Sequence, residues 1–289
     1  MAFTVWQGND PGNEGDINVA ANYTNGVPTS VKGAYFTASS RAATKGLNRS
    51  ADTWQFIVFG PGQTGPIGKS GEYLQVKCTD YITFDSSAPA YIDISGSAAS
   101  LTSGVKVRST SQAEFHLKVG TGASDLDTLI IQRGNYFHEE GNVVNLYMES
   151  VTGPITDANV TWNAGVCTTL RKSGGTFVQN GGTITTGYNS VGSSRIVAGI
   201  YSTLHHYDGD FLWETNDGAI IADIWGGFFD VGGDKADKTI TRIDMHGTSN
   251  VNLDNGVEGA ITLTQGKVNV WGANNPTLPH KVLSTVGPV

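Results

Sequence analysis

Several short runs of the sequence bring together side chains that could act as metal ligands. His205-His206-Tyr207-Asp208, with Asp210 shortly after, offers imidazoles and carboxylates for a metal ion. Adjacent residues of a strand point to opposite faces, so His205 and His206 cannot both bind one ion without a bend. We therefore interpret them as solvated strand residues and predict no metal ligands.

Two acidic groups could supply the acid and the base that hydrolyse a glycosidic bond. They are His138-Glu139-Glu140 and the pair Asp125 and Asp127. Exposed acids are expected in any protein with a formal net charge of −8, and no Gly-x-Ser-x-Gly nucleophile elbow occurs. We predict no catalytic residues, and hence a protein that is not an enzyme.

Residues 62–70 end in Gly-Lys-Ser and resemble a phosphate-binding loop after an apparent strand at 54–59. The motif requires its first glycine at position 63, which is Gln63, and Pro66 removes an amide donor. The following residues, 72–79, alternate like a strand and provide no helix N-terminus. We predict a surface loop and no cofactor.

Composition indicates strands and tight turns, because only 15% of residues are charged while 38 are glycine. The acidic balance, with no basic run, argues against a nucleic-acid partner. No basic and apolar leader opens the chain, and no apolar run reaches membrane-spanning length, so neither export nor a membrane partner is predicted. Cys78 and Cys167 are interpreted as buried thiols of a protein made in a reducing cytosol, with a disulfide as the alternative.

From Tyr35 onward, apolar and polar residues alternate over short runs, which is typical of half-buried strands. The apolar members of three such runs are Leu74, Val76 and Cys78; Ile82 and Phe84; and Phe115, Leu117 and Val119. The runs recur at short, similar intervals with turn residues between them. This rhythm fits a sandwich, a barrel or a β-solenoid, and no window has convincing helical periodicity.

A Gly-x-apolar signature in the second half favours the solenoid. Its copies are Gly175-Thr176-Phe177, Gly209-Asp210-Phe211, Gly226-Gly227-Phe228 and Gly266-Lys267-Val268. The step from Phe177 to Phe211 is twice the step from Phe211 to Phe228, as though one intermediate copy had lost its signature. Each coil of a solenoid must turn a corner and then stack a side chain on the coil below. Chance recurrence in a glycine-rich β protein is the alternative.

Aromatic residues cluster near these signatures, and they have two interpretations. They are Trp213, Trp225, Phe228, Phe229 and Trp271. They could form a platform on which sugars stack, or a ladder of large residues in the core or at a subunit interface. We favour the ladder.

These patterns predict an all-β chain with three parts. Residues 1–50 form an irregular N-terminal capping and anchoring segment, 51–273 the solenoid, and 274–289 a C-terminal tail.

Residues 21–30, Ala-Asn-Tyr-Thr-Asn-Gly-Val-Pro-Thr-Ser, follow Trp6-Gln7-Gly8 and Asp16. They resemble the Ala-Asn-Trp-x-x-Gly-x-Pro opening of many microbial and phage β-solenoid proteins. Tyr23 stands where tryptophan is usual, and the aspartate customary soon after the proline is missing. The chain as a whole is similar in style to phage virion proteins of the right-handed parallel β-helix type, such as capsid decoration proteins and tailspikes.

This resemblance implies a structural virion protein of a tailed bacteriophage, made in the host cytoplasm and placed on the capsid surface. It would be a homotrimeric decoration, or cement, protein whose partners are the major capsid protein and its own copies. Trp6, Tyr23, Val27 and Pro28 are the predicted contact residues. The alternative is a tailspike or tail fibre that binds or degrades host surface polysaccharide, which adds host glycans as partners. A bacterial surface solenoid is a third hypothesis, disfavoured by the lack of an export signal.

Overall fold

The chain forms two compact units, unit 1 (residues 1–160) and unit 2 (residues 161–289). A computed structural model describes residues 2–37, 41–96, 106–121, 125–149, 158–215, 217–231, 239–246 and 250–252. Regular structure in this part of the chain consists of strands and one 3₁₀ turn, Ala20–Asn22. Among the same residues, no helix has the length and apolar character needed to cross a membrane.

Unit 1 is built from short strands that pair in parallel. They are β1 (Ala2–Val5), β2 (Lys32–Phe36), β3 (Asn48–Phe59), β4 (Leu74–Phe84), β5 (Ala90–Asp93), β6 (Lys106–Ser109), β7 (Phe115–Lys118), β8 (Leu126–Ile131), β9 (Gly134–Glu140) and β10 (Val143–Met148). A further strand, β11 (Ala158–Trp162), spans the boundary between the units.

Parallel partners in unit 1 are separated by one circuit of the chain, which defines stacked coils. The circuit shortens along the unit, since Ala2 pairs with the distant Lys32, whereas Leu126 pairs with the much nearer Val143. Inward aromatic rings form a ladder through the coils, and neighbouring ring centroids lie 4.7–5.8 Å apart. Phe36, Phe59 and Phe84 share one register position, and Phe115 and Tyr136 share another. The ladder fills the core of unit 1.

Unit 2 has two strands per coil, so that alternate strands stack in two parallel columns. One column contains β12 (Val166–Lys172), β14 (Thr183–Asn189), β16 (Ile200–His206), β18 (Ala219–Ile224) and β20 (Thr239–Met245). The other contains β13 (Thr176–Gln179), β15 (Ser193–Ile196), β17 (Asp210–Trp213), β19 (Phe228–Val231) and β21 (Asn250–Asn252). Cys167, Ile184 and Tyr201 occupy one buried position in three successive coils, at equal steps along the chain.

Two columns of glycine with positive φ form the corners of unit 2. One contains Gly165, Gly182 and Gly199, and the other contains Gly175, Gly192, Gly209 and Gly227. A Cβ atom on Gly209, where φ is +83°, would lie 2.2 Å from the carbonyl oxygen of Gly192 in the coil below. That oxygen accepts a hydrogen bond from the amide of Asp210 at 3.0 Å. The corners are therefore glycine because neighbouring backbones touch there.

The structure supplies the missing copy of the Gly-x-apolar signature and corrects another. The missing copy is Gly192-Ser193-Ser194, since Ser194 pairs with both Phe177 and Phe211. Phe211 pairs with Phe229, so the next copy is Gly227-Phe228-Phe229 and that coil is longer than its predecessor by a single residue. The predicted copy at 266–268 lies outside the described residues.

The prediction of an all-β, parallel β-solenoid is confirmed. The predicted inward residues of the three alternating runs are all buried. Stacking begins with β1 and β2, and the predicted boundary at residue 50 falls within β3. The predicted tail, 274–289, lies outside the described residues.

Candidate functional site

The outer edge of β1 is covered by the chain's own N-terminal segment. Thr24 binds Val5 in both directions: its hydroxyl oxygen accepts from the Val5 amide at 3.0 Å, and its amide donates to the Val5 carbonyl at 3.0 Å. The Asn25 side chain donates to the carbonyl of Phe3 at 3.3 Å. Because an open strand edge recruits further strands, these bonds protect this edge from strand addition.

Trp6 and Tyr23, two of the predicted contact residues, lie inside the N-terminal segment. Their exposed fractions are 1% and 4%, and their rings meet edge to face with centroids 5.1 Å apart. The Trp6 ring also lies 5.8 Å from Phe36, the first ring of the core ladder. Burial raises the pKa of the Tyr23 hydroxyl. Both rings therefore hold this segment on the first coils, where a partner protein could not touch them without rearrangement.

Val27 and Pro28, the other two predicted contact residues, line an open groove of about 510 Å³. The opposite wall comes from residues 49–53 and includes the ion pair between Arg49 and Asp52. Pro28 is buried and Val27 is half-buried. Both residues thus contribute to a surface, although most of Pro28 is enclosed.

Phe3 and Val31 are the exposed apolar residues at this end of unit 1. Their exposed fractions are 48% and 72%, and Phe3 packs edge-on against Tyr35 with centroids 5.0 Å apart. Phe3 of β1 is in register with Gly33 of β2, and Val31 lies just before β2 in the chain. We call Phe3 and Val31 the N-terminal apolar patch. Phe3 points outward because Thr4 and Trp6 point inward and Phe3 has the opposite parity along the strand.

The predicted candidates for sugar hydrolysis are engaged within unit 1. His138 is fully buried between the hydroxyl of Tyr136 and the carbonyl of Gly141, each 3.0 Å away, and burial lowers its pKa to about 4. The register between β7 and β9 shifts at a β-bulge near Glu139, whose carboxylate lies 2.7 Å from His116 Nδ1. Glu140 lies 3.7 Å from Lys118 Nζ.

The two carboxylates of the second acidic group, Asp125 and Asp127, also have separate hydrogen-bond partners. Asp125 accepts a hydrogen bond from the Asn142 side chain at 3.1 Å, whereas Asp127 accepts one from the Thr128 hydroxyl at 2.9 Å. Each carboxylate therefore has its own partner.

His205 and His206 point to opposite faces, as predicted. His205 lies on the surface with Nδ1 3.1 Å from an oxygen of Asp223. His206 is fully buried, so the interpretation of both histidines as solvated residues is wrong for His206, which lies on the inward face of β16. Within the described residues, no three His, Cys, Asp or Glu side chains come together as metal ligands.

The loop at 62–70 is followed by a strand, as its sequence predicts, since β4 begins at Leu74. Gln63 is buried, and its side-chain amide donates to the carbonyls of Gly65 at 2.6 Å and Arg41 at 3.2 Å. The residue that breaks the phosphate-binding motif thus holds the loop together.

The aromatic residues of unit 2 are divided between core and surface. Trp213 and Phe229 are buried, in agreement with the predicted ladder, and Phe228 is half-buried. Trp225 is 51% exposed. Trp271 lies outside the described residues.

The described residues form a parallel β-solenoid. No family model, no curated protein and no solved structure matches the chain.

Proposed function

We propose that this protein is a structural component of a tailed-phage virion, a trimeric capsid decoration protein that stabilises the shell. The observation that carries the proposal is the N-terminal apolar patch, Phe3 and Val31, beside a strand edge that the chain has already capped. Such an end is suited to side-chain docking on another protein and is closed to strand addition.

The patch would act as the centre of a larger contact with the major capsid protein. A stable interface buries about 800 Å² on each partner, so the rim must include neighbouring polar residues of the first coils. The groove beside Val27 and Pro28 offers such a rim, with Arg49 and Asp52 on its far wall. Aromatic residues at the centre of an interface contribute about 2 kcal/mol or more, which corresponds to roughly thirtyfold in affinity.

The trimer and the virion location come from the resemblance to phage β-helix proteins, and the rigid stack of parallel coils is compatible with both. A tailspike that cleaves polysaccharide requires two carboxylates facing one glycosidic bond. The carboxylates at 125, 127, 139 and 140 each bind a different partner. We favour the shell role because the N-terminal apolar patch supports a protein contact.

Shells assembled from the major capsid protein of the same phage provide the test. The wild-type chain should sediment with the shells and raise the temperature at which they break. The double variant Phe3→Asp/Val31→Asp should bind at least about tenfold more weakly, since it places charges in an apolar contact. Val191→Asp, at a residue 52% exposed in unit 2, is the matched control and should bind like wild type.

Two results would overturn the proposal. One is a wild-type protein that neither binds the shells nor changes their stability. The other is a double variant that binds as tightly as the Val191→Asp control.

A further inference from the structure

Three successive coils of unit 2 present a ring at the same corner. Tyr207, Trp225 and His246 each directly follow the last residue of a long strand. Their amides donate to the carbonyls of Asn189, His206 and Ile224 in the coil below, at 2.8, 2.7 and 2.7 Å. The three residues are therefore stacked equivalents on one edge of the unit.

Trp225 stands out because most tryptophans of this chain are in the core. The other four that the structure describes, Trp6, Trp54, Trp162 and Trp213, are at most 1% exposed. Trp225 is 51% exposed, and Tyr207 one coil below is 45% exposed. Two large aromatic side chains thus remain in water at adjacent positions.

The indole of Trp225 is held in place from one side. The centroid of the indole ring lies 3.8 Å from the centroid of the His246 imidazole, and the angle between the two ring planes is 11°. His246 thus packs against one face of the indole, while half of the Trp225 side chain remains exposed. A ring that is fixed before binding loses little conformational entropy when a ligand stacks on it.

The turn residues that follow Tyr207 and Trp225 are acidic or small. Gly226 follows Trp225 and has no side chain to cover the indole; a Cβ there would lie 2.3 Å from the Tyr207 carbonyl oxygen. Asp208, exposed, is the next residue after Tyr207, and one of its oxygens accepts from the Gly209 amide at 2.7 Å. Asp210, also exposed, pairs in register with Phe228. These residues therefore offer carboxylate oxygens as hydrogen-bond acceptors.

We propose that the corner formed by Tyr207, Asp208 and Trp225 binds a neutral pyranose unit of a glycan. One face of a pyranose ring consists of C–H groups that stack on an aromatic face, and its rim of hydroxyl groups donates to carboxylates. An anionic ligand such as a nucleic acid is disfavoured by Asp208 and Asp210 and by the net charge of −8. A protein partner would require a far larger surface than two rings provide. The proposal does not depend on the capsid contact, which lies in unit 1.

The test uses the free, full-length protein and hexasaccharides of glucose, N-acetylglucosamine, mannose and galactose at millimolar concentration. Saturation-transfer NMR should show at least one of them binding through its ring protons. Trp225→Leu keeps an apolar contact with His246 but removes the flat face, and it should weaken that binding at least about tenfold. Asp208→Asn should weaken it by a smaller factor, because a neutral amide is a poorer acceptor.

Val191→Ala serves as the control, because Val191 is exposed to a similar degree in the preceding corner. It should bind the sugar like wild type. Circular dichroism must show the same strand content in all variants; if Trp225→Leu loses it, Asp208→Asn carries the test. The proposal is overturned if none of the four hexasaccharides binds, or if binding survives both substitutions at the Trp225 corner.

Discussion

Gly209→Ala is expected to destabilise unit 2 by about 2–5 kcal/mol, from two separate effects. Alanine at a φ of +83° enters the left-handed region, which costs about 1–2 kcal/mol. Its Cβ would also lie 2.2 Å from the oxygen of Gly192, a backbone atom that cannot rotate away. Relieving this overlap requires the two coils to separate at the hydrogen bond from Asp210 to Gly192, which adds about 1–3 kcal/mol.

Gly218→Ala is the matched control within the same unit. Its φ is +81°, so the conformational cost is the same, but the nearest atom to the added Cβ is a side-chain carbon of Ile200 at 3.3 Å. Urea unfolding followed by circular dichroism should therefore show a loss of about 1–2 kcal/mol for Gly218→Ala and a clearly larger loss for Gly209→Ala. Equal losses would refute the inference that close contact between backbones, and not φ alone, requires glycine at this corner.

Three further outcomes follow from the cores of the two units. Phe84→Ala should cost about 3–5 kcal/mol of unfolding free energy, since its ring packs between those of Phe59 and Phe115, whereas Phe3→Ala should cost far less. Burial lowers the pKa of His206 from 6.5 to about 4, so its contribution to stability is full above pH 6.5 and is lost as the pH falls toward 4. Across that range wild type should lose about 3 kcal/mol more than His206→Gln, measured by urea unfolding at each pH, and parallel curves would contradict this. Burial raises the pKa of Cys78 to about 12, so a thiol reagent at neutral pH should modify this residue only after denaturant is added.

The strands could be predicted from the sequence because their inward residues alternate with polar ones. Where alternation was regular, as in Phe115, Leu117 and Val119, the predicted inward residues are buried. Burial of one face imposes period two on any strand of a coil. The fold class could be predicted for the same reason, because half-buried strands recur at intervals set by the turns between them.

The coil length was harder to read, because the Gly-x-apolar signature occurs twice in each coil. The predicted copies at 175–177 and 209–211 belong to one glycine column. The second column, Gly165, Gly182 and Gly199, opens the long strands and precedes the buried residues Cys167, Ile184 and Tyr201 at the same spacing. The prediction used copies of the first column alone and therefore missed the second corner of each coil. From Gly165 to Gly209, glycines of the two columns alternate along the chain. A longer step between neighbouring glycines is followed each time by a shorter one, and the two steps together equal the length of one coil.

The N-terminal contact residues were not predictable from residue type alone. Thr4 is buried although polar, because its hydroxyl accepts a hydrogen bond from the amide of Asn25 at 3.2 Å. This hides the alternation that places Trp6 inward and Phe3 outward. A tertiary hydrogen bond thus decides which aromatic ring reaches the surface, and the sequence around Trp6 contains no sign of it.

A solenoid with equal coils must also specify which coil stacks on which, and in unit 2 a buried polar column supplies this information. The Lys172 ammonium donates to the Asn189 side-chain oxygen at 2.8 Å, and the Asn189 amide donates to His206 Nδ1 at 2.8 Å. His206 Nε2 then donates to the carbonyl of Gly209 at 3.1 Å. A slip by one whole coil would keep glycine opposite glycine, but it would place the Lys172 ammonium against His206 in place of the Asn189 oxygen. Because an uncompensated buried charge costs several kcal/mol, the polar column penalises a slip that the glycines alone would allow.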